Sequence, residues 1–295
     1  MILRRRKRPL WTPTVAATGW SESTFAEQAW DKSRGAGLRW AVAGTIGGAL
    51  LGLIAFAPAA WVADMVASST DQRLLLADAR GTIWTGSAVP ILTGGRDSRD
   101  ASALPGRLEW TLMPSGLGLA LRARQECCLN GTVAVRLRPG FGRISATLAS
   151  AGGWVGQWPS AWLAGLGTPW NTMQLGGTVR LVTPGVTVET VEGRWRFDGR
   201  ADIELQNVSS RVTTLETLGS YRMTISGAAA DKSPTRLTLS TQEGPLQLSG
   251  SGTWGPGGVH FRGEARAAAV DETALSNLLN IIGRRDGARS VISIG

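Results

Sequence analysis

Histidine is nearly absent from this 295-residue chain, with His260 as its single copy. A Ser-His-Asp arrangement would have to be built on that residue, and no G-x-S-x-G elbow accompanies it. His260 lies in "GGVHF", an alternating pattern that puts an imidazole on a sheet surface rather than in a catalytic constellation. Cysteine occurs only as the adjacent pair Cys127-Cys128, so the chain has neither a C-x-x-C redox motif nor zinc-ligand spacing. Neighbouring cysteines leave two readings, a vicinal disulfide or two reduced thiols. Phosphate-binding loops are missing too: there is no P-loop and no G-x-G-x-x-G opening a helix. The acidic residues are scattered, and Asp97 and Asp100 fall in a polar loop, "GGRDSRDAS". These absences argue against an enzyme, a resident cofactor and a metal.

The net charge of +9 raises the question of nucleic acid, and its distribution answers it. Residues 1–39 hold eight Lys or Arg against three Asp or Glu, a net of +5. That leaves +4 for the remaining 256 residues, a mildly basic bulk. Immediately after the basic tail come 24 residues without any charge, Trp40 to Ala63. As one helix they would measure roughly 36 Å, against a hydrocarbon core of about 30 Å. Trp40 and Trp61 stand where interfacial aromatics stand, and Arg39 and Asp64 close the ends. Ala57-Pro58-Ala59 has the form of a signal-cleavage site, but the leader and the apolar run are both too long for one. The expectation is an uncleaved anchor: a cytoplasmic tail at 1–39, a transmembrane helix at 40–63 and a domain at 64–295 on the far side of the membrane, which in a bacterium is the periplasm. The positive-inside rule sets that orientation and accounts for RRRKR without nucleic acid. Gly44, Gly48 and Gly52 line one face of the span at a spacing that permits close helix packing, including a homo-oligomer. In the tail, "STFAEQAWDKSR" predicts one short helix with a Thr24-x-x-Glu27 capping box.

Beyond the span the hydrophobic period changes to two. Short strands are expected at Leu74–Ala77, Thr82–Trp84, Arg107–Leu112, Leu117–Arg122, Thr132–Leu137, Arg143–Leu148, Thr178–Leu181, Val186–Val191, Arg194–Phe197 and Ala201–Gln206. Others follow at Arg211–Leu215, Tyr221–Ser226, Arg236–Thr241, Leu246–Gly250 and Gly258–Ala265. Gly, Pro, Asp and Ser separate them at close intervals, which predicts an antiparallel sheet rather than alternating α/β units. Two helices interrupt. "PSAWLAGLG" begins with proline and ends with glycine. "DETALSNLLNIIG" places Leu275, Leu278, Leu279 and Ile282 at helical spacing, with Asp271 as cap and Gly283 as stop.

Tryptophan is abundant, with 13 copies. Trp154, Trp158, Trp162 and Trp170 surround the first of these helices, either filling the core or forming an apolar contact surface. A loose theme of glycine followed by tryptophan recurs at Gly81/Trp84, Gly106/Trp110, Gly193/Trp195 and Gly252/Trp254. At the first of these, Gly81 and Gly86 are expected to turn the chain into and out of a short strand carrying Trp84.

Two segments carry a family resemblance. Ala79-x-Gly81-x-Ile83-Trp84-x-Gly86-x-Ala88 and the closing "LLNIIGRRDGARSVISIG" (Leu278–Gly295) resemble the type II secretion system protein N (GspN) family. The resemblance implies a non-enzymatic inner-membrane accessory component of the apparatus that exports folded proteins across the outer membrane. Its implied partners are the other inner-membrane components and the secretin. The implied fold is mainly β: a single transmembrane helix, then a curved antiparallel sheet domain similar to AsmA-type proteins, with a short C-terminal helix. Such a fold presents an apolar inner surface, and membrane lipid is the alternative ligand it implies.

Overall fold

A computed structural model describes residues 20–150, 152–191, 194–228, 234–255 and 257–295, with residues 20–36 and Arg194 described by backbone alone. Residues 1–19 of the basic tail, the side chains of the Thr24–Glu27 capping box and Gly193 of the glycine–tryptophan theme lie outside these descriptions. The chain divides into two compact units, Met1–Phe56 and Ala57–Gly295.

The first unit contains α1 (Trp20–Ala55), one unbroken helix, so the short helix expected in the tail is the leading part of a longer one. Within it Gly37–Ala55, 19 residues, is long and apolar enough to cross a membrane, at about 28 Å of rise. The uncharged stretch 40–63 is therefore not a single helix. Pro58 supplies no amide hydrogen and disfavours helical geometry at Ala57, so the helix stops and a separate one, α2 (Ala60–Ser69), follows.

Among the described residues, the second unit is a 16-stranded antiparallel sheet. Its strands are β1 (Leu74–Gly81), β2 (Thr85–Thr93), β3 (Ala101–Ala103), β4 (Leu108–Ser115), β5 (Gly118–Arg124), β6 (Thr132–Gly140), β7 (Arg143–Ala149) and β8 (Trp154–Pro159). The second half comprises β9 (Leu175–Val191), β10 (Arg194–Ser210), β11 (Gly219–Gly227), β12 (Thr235–Glu243), β13 (Leu246–Gly255), β14 (Gly258–Ala267), β15 (Arg284–Asp286) and β16 (Arg289–Ile294). Almost every strand pairs with its neighbour in the chain; β3 and β8 are side branches on β2 and β9, and β15 closes the sheet beyond β16. A 3-10 turn (Ser160–Leu166) and α3 (Trp170–Met173) follow β8, and α4 (Glu272–Ile282) lies between β14 and β15.

Cross-strand partners share a face, and here the two faces differ sharply. One row reads Leu112, Leu121, Val135, Leu148 and Val186 across successive strands. Another reads Ala201, Ile225, Leu237, Gly252, Phe261 and Ile294. On the opposite face the adjacent row is Asp202, Thr224, Thr238, Ser251, Arg262 and Ser293. Charges on that face pair along it: Arg200 with Asp202 at 3.0 Å, Arg222 with Glu204 at 2.9 Å, and Arg289 with Glu264 at 3.0 Å.

Two clusters bury parts of the apolar face. At the C-terminal end, Leu275, Leu278 and Leu279 of α4 are fully buried against Leu218, Tyr221, Leu246 and Ala265. Ser290 Oγ donates to the Leu279 carbonyl at 2.6 Å and Thr213 Oγ1 to that of Ala274 at 3.0 Å, fixing the helix to the sheet. At the N-terminal end, Ala59, Ala88 and Trp110 form a smaller cluster with Val62, Leu76, Ala79 and Leu121. Between the two, Leu119, Leu137, Ala146 and Val188 are half-buried and belong to neither.

Candidate interaction surfaces

The expected strand at Thr82–Trp84 is not a strand. Gly81 pairs with Gly86 across the β1–β2 hairpin, and Thr82-Ile83-Trp84-Thr85 is its tip. Gly81 has φ +90°, and a β-carbon there would sit 2.4 Å from the Thr85 carbonyl oxygen, so the residue must be glycine. The tip is a docking point for the chain before it. Pro58 bridges to Thr82, the Ala59 amide donates to the Gly81 carbonyl at 3.0 Å, and the Ile83 amide donates to the Ala57 carbonyl at 2.9 Å. The Leu112 amide donates to the Trp84 carbonyl at 2.7 Å.

Tryptophans complete the seams between strands. Trp110 Nε1–H donates to the Ile83 carbonyl at 3.2 Å, and its ring covers Gly86, its partner on β2. Trp158 covers Gly156 in the same way, within β8. Trp162 Nε1–H donates to the Ser102 carbonyl at 2.9 Å, which ties the 3-10 turn to β3. The Arg180 guanidinium stands 5.9 Å from the Trp154 ring centroid. Trp154, Trp158, Trp162 and Trp170 are all half-buried. Trp84 belongs to a different seam, at the β1–β2 tip.

Cys127 and Cys128 are joined to each other in the β5–β6 turn, with Cys127 exposed and Cys128 buried. This turn grips β8: the Gln157 amide donates to the Cys128 carbonyl at 2.7 Å and the Asn130 amide to the Val155 carbonyl at 3.0 Å. Gly44, Gly48 and Gly52 lie on α1, where a β-carbon added to any of them would meet nothing within 4 Å. Arg107, half-exposed at the start of β4, bonds Asp78 at 2.7 Å and holds its carboxyl below the usual carboxylate range, with Arg80 adding to the effect. Among the described residues, no three His, Cys, Asp or Glu side chains are grouped to hold a metal ion.

What organises these seams is the sheet, and the sheet is what the family comparison matches: residues 72–292 fit the model of the type II secretion system (T2SS), protein N. The chain belongs to the type II secretion system protein N family. The match begins two residues before β1 and ends within β16, so it takes in β1 to β15, both side branches, α4 and most of β16. Membership makes the protein an accessory component of type II secretion, associated with other components of that system. No curated protein and no solved structure matches the chain.

Proposed function

We propose that the protein is a non-enzymatic inner-membrane component that helps assemble or operate the type II secretion apparatus. The family match over the full sheet domain carries this reading. In it, the basic tail is cytoplasmic, the apolar part of α1 anchors the chain, and the sheet domain lies in the periplasm. Its partners are other inner-membrane proteins of the system and the secretin, and no nucleic acid is involved. The Gly44, Gly48 and Gly52 row offers a close-packing face for another helix, including a second copy of α1. Photo-crosslinkers placed on that row and on the sheet domain in intact cells, followed by identification of the trapped proteins, test this. Capture of secretion components supports it; capture of none of them, with exported proteins still leaving the cell, removes it.

One observation favours a second reading, an AsmA-like groove that binds or transfers lipid. The apolar face runs across the sheet, and its central rows, Leu119, Leu137, Ala146 and Val188, lie outside both buried clusters. Half-buried aliphatic rows of that kind suit acyl chains. Stoichiometric phospholipid on the detergent-extracted full chain would favour the groove. A lipid-free protein that crosslinks to secretion components would favour assembly alone.

A further inference from the structure

In the meander, alternate hairpin turns gather at opposite ends of the strands. The turns after β1, β4, β6, β9 and β13 share one end, as the registers Gly81 with Gly86, Ser115 with Gly118, Gly140 with Arg143, Val191 with Arg194, and Gly255 with Gly258 require. That end collects the exposed large apolar side chains of the strands and their turns. Leu117 is 99% exposed and Phe141 110%, each at the apex of a tight turn. Ile144, Trp195, Val259 and Ile294 follow at the same end, and all four belong to the apolar face. At the other end, around the turns after β5 and β14, Val270 is the comparable residue.

Turn apices ordinarily take Gly, Asn, Asp or Ser, because those residues fit the backbone and meet water well. Here Gly116 (φ +59°) and Gly142 (φ +64°) supply the backbone, and the neighbouring apex position is given to leucine or phenylalanine. Neither apex residue belongs to a buried cluster of the domain. Arg138 and Arg143 flank Phe141, both exposed and without an acidic partner among the described residues. An apolar tip flanked by two exposed guanidinium groups is complementary to acyl chains beneath anionic headgroups.

The first residue of the sheet unit is at this same end, since Ala57 and Pro58 are bonded to the β1–β2 tip. Only Phe56 separates Ala57 from the last residue of α1, which limits the gap to roughly 7 Å of chain. The Leu117 tip is two strands from there and the Phe141 tip four, about 10 and 20 Å along the sheet.

We infer that this end of the sheet is a membrane-docking edge, at which Leu117 and Phe141 enter the headgroup region of the bilayer that α1 spans. The inference rests on the membrane placement proposed above. It can be tested on the full chain reconstituted into vesicles of phosphatidylethanolamine and phosphatidylglycerol. In a Cys127→Ser, Cys128→Ser background, an environment-sensitive fluorophore is attached in turn at Leu117→Cys, Phe141→Cys and Val270→Cys. Spin-labelled lipids of known depth then read immersion, and flotation of the vesicles reads anchoring. The expected result is a blue shift and shallow-lipid quenching at 117 and 141, with neither at 270. Labels at 117 and 141 as wet and unquenched as at 270, on protein that floats, would overturn the docking edge and leave the anchor standing. A blue shift without lipid quenching would also overturn it, because the tips would then be covered by protein. Protein that fails to float would remove the anchor, and the docking edge with it.

Discussion

Gly86 and Trp110 face each other across β2 and β4, and the indole fills the space that a side chain at Gly86 would need. A β-carbon there would lie 2.5 Å from Trp110 Cζ2. The ring cannot swing away freely, because its N–H is bonded to the Ile83 carbonyl and the residue is 6% exposed. Gly86→Val should therefore destabilise the sheet domain by about 1–3 kcal/mol through overpacking. Urea unfolding would show it; an unchanged midpoint would mean that the indole does not cover Gly86.

Leu278 is fully buried between α4 and the sheet. Leu278→Ala should cost about 2–5 kcal/mol, the sum of lost transfer energy and an unfilled cavity. The exposed Ser276 hydroxyl on the same helix donates to the Thr273 carbonyl, so Ser276→Ala should stay within about 0.5 kcal/mol. Equal losses for the two variants would contradict the placement of α4.

The Cys127–Cys128 link closes a very short loop, so its removal should cost only about 1 kcal/mol of chain entropy. The turn keeps its backbone bonds to β8 without it. Cys127→Ser, Cys128→Ser should thus fold with a nearly unchanged melting temperature. Collapse of the domain in that variant would assign the bond a larger structural part.

Asp78 titrates below its ordinary value because Arg107, and then Arg80, bond its carboxylate. A depressed folded-state value means that the carboxylate adds stability at neutral pH and loses it as the pH falls below about 4. Asp78 is solvent-exposed, so the effect is small. Asp78→Asn, whose side chain tolerates the left-handed φ of +49° found at this position in β1, should melt slightly below the wild type at pH 7. The gap should close on acidification toward pH 3; a gap that widened would have the wrong sign for this pair.

His260 is exposed on β14, between Gly258 and Phe261. His260→Ala should leave secretion intact in cells. Loss of export with a normally folded variant would contradict the non-enzymatic reading.

Most of the architecture was legible because period-two patterning on one-sided sheet is a strong signal, and α4 was legible from Leu275, Leu278 and Leu279. The errors arose where turn residues sit inside strands. Pro184-Gly185 and Asp198-Gly199 suggested breaks, yet β9 and β10 run 17 residues each straight through them. The two sites oppose each other at a bulge, where Gly185 has φ +136° and Thr183 Oγ1 donates to the Arg200 carbonyl at 2.6 Å. Thr82–Trp84 misled for the opposite reason, since its β-branched and aromatic residues occupy a hairpin tip held by Ala57. β2 was missed because Gly86 and Pro90 look like strand breakers, although Trp110 covers the former. Arg211–Leu215 alternates like a strand but is a loop that leads to the buried Leu218. The glycine–tryptophan theme differs in its geometry: Gly86 takes its aromatic cover from Trp110 on the neighbouring strand, and on β13 the Phe261 ring covers Gly250 rather than Gly252.

Because nearly every strand lies against the one made just before it, this domain can assemble in the order of synthesis. Most of these pairings close over a short loop at small entropic cost, the β7-to-β9 connection through residues 150–174 being the long exception. α4 is the late piece, since the cluster it seals draws on β9 to β14.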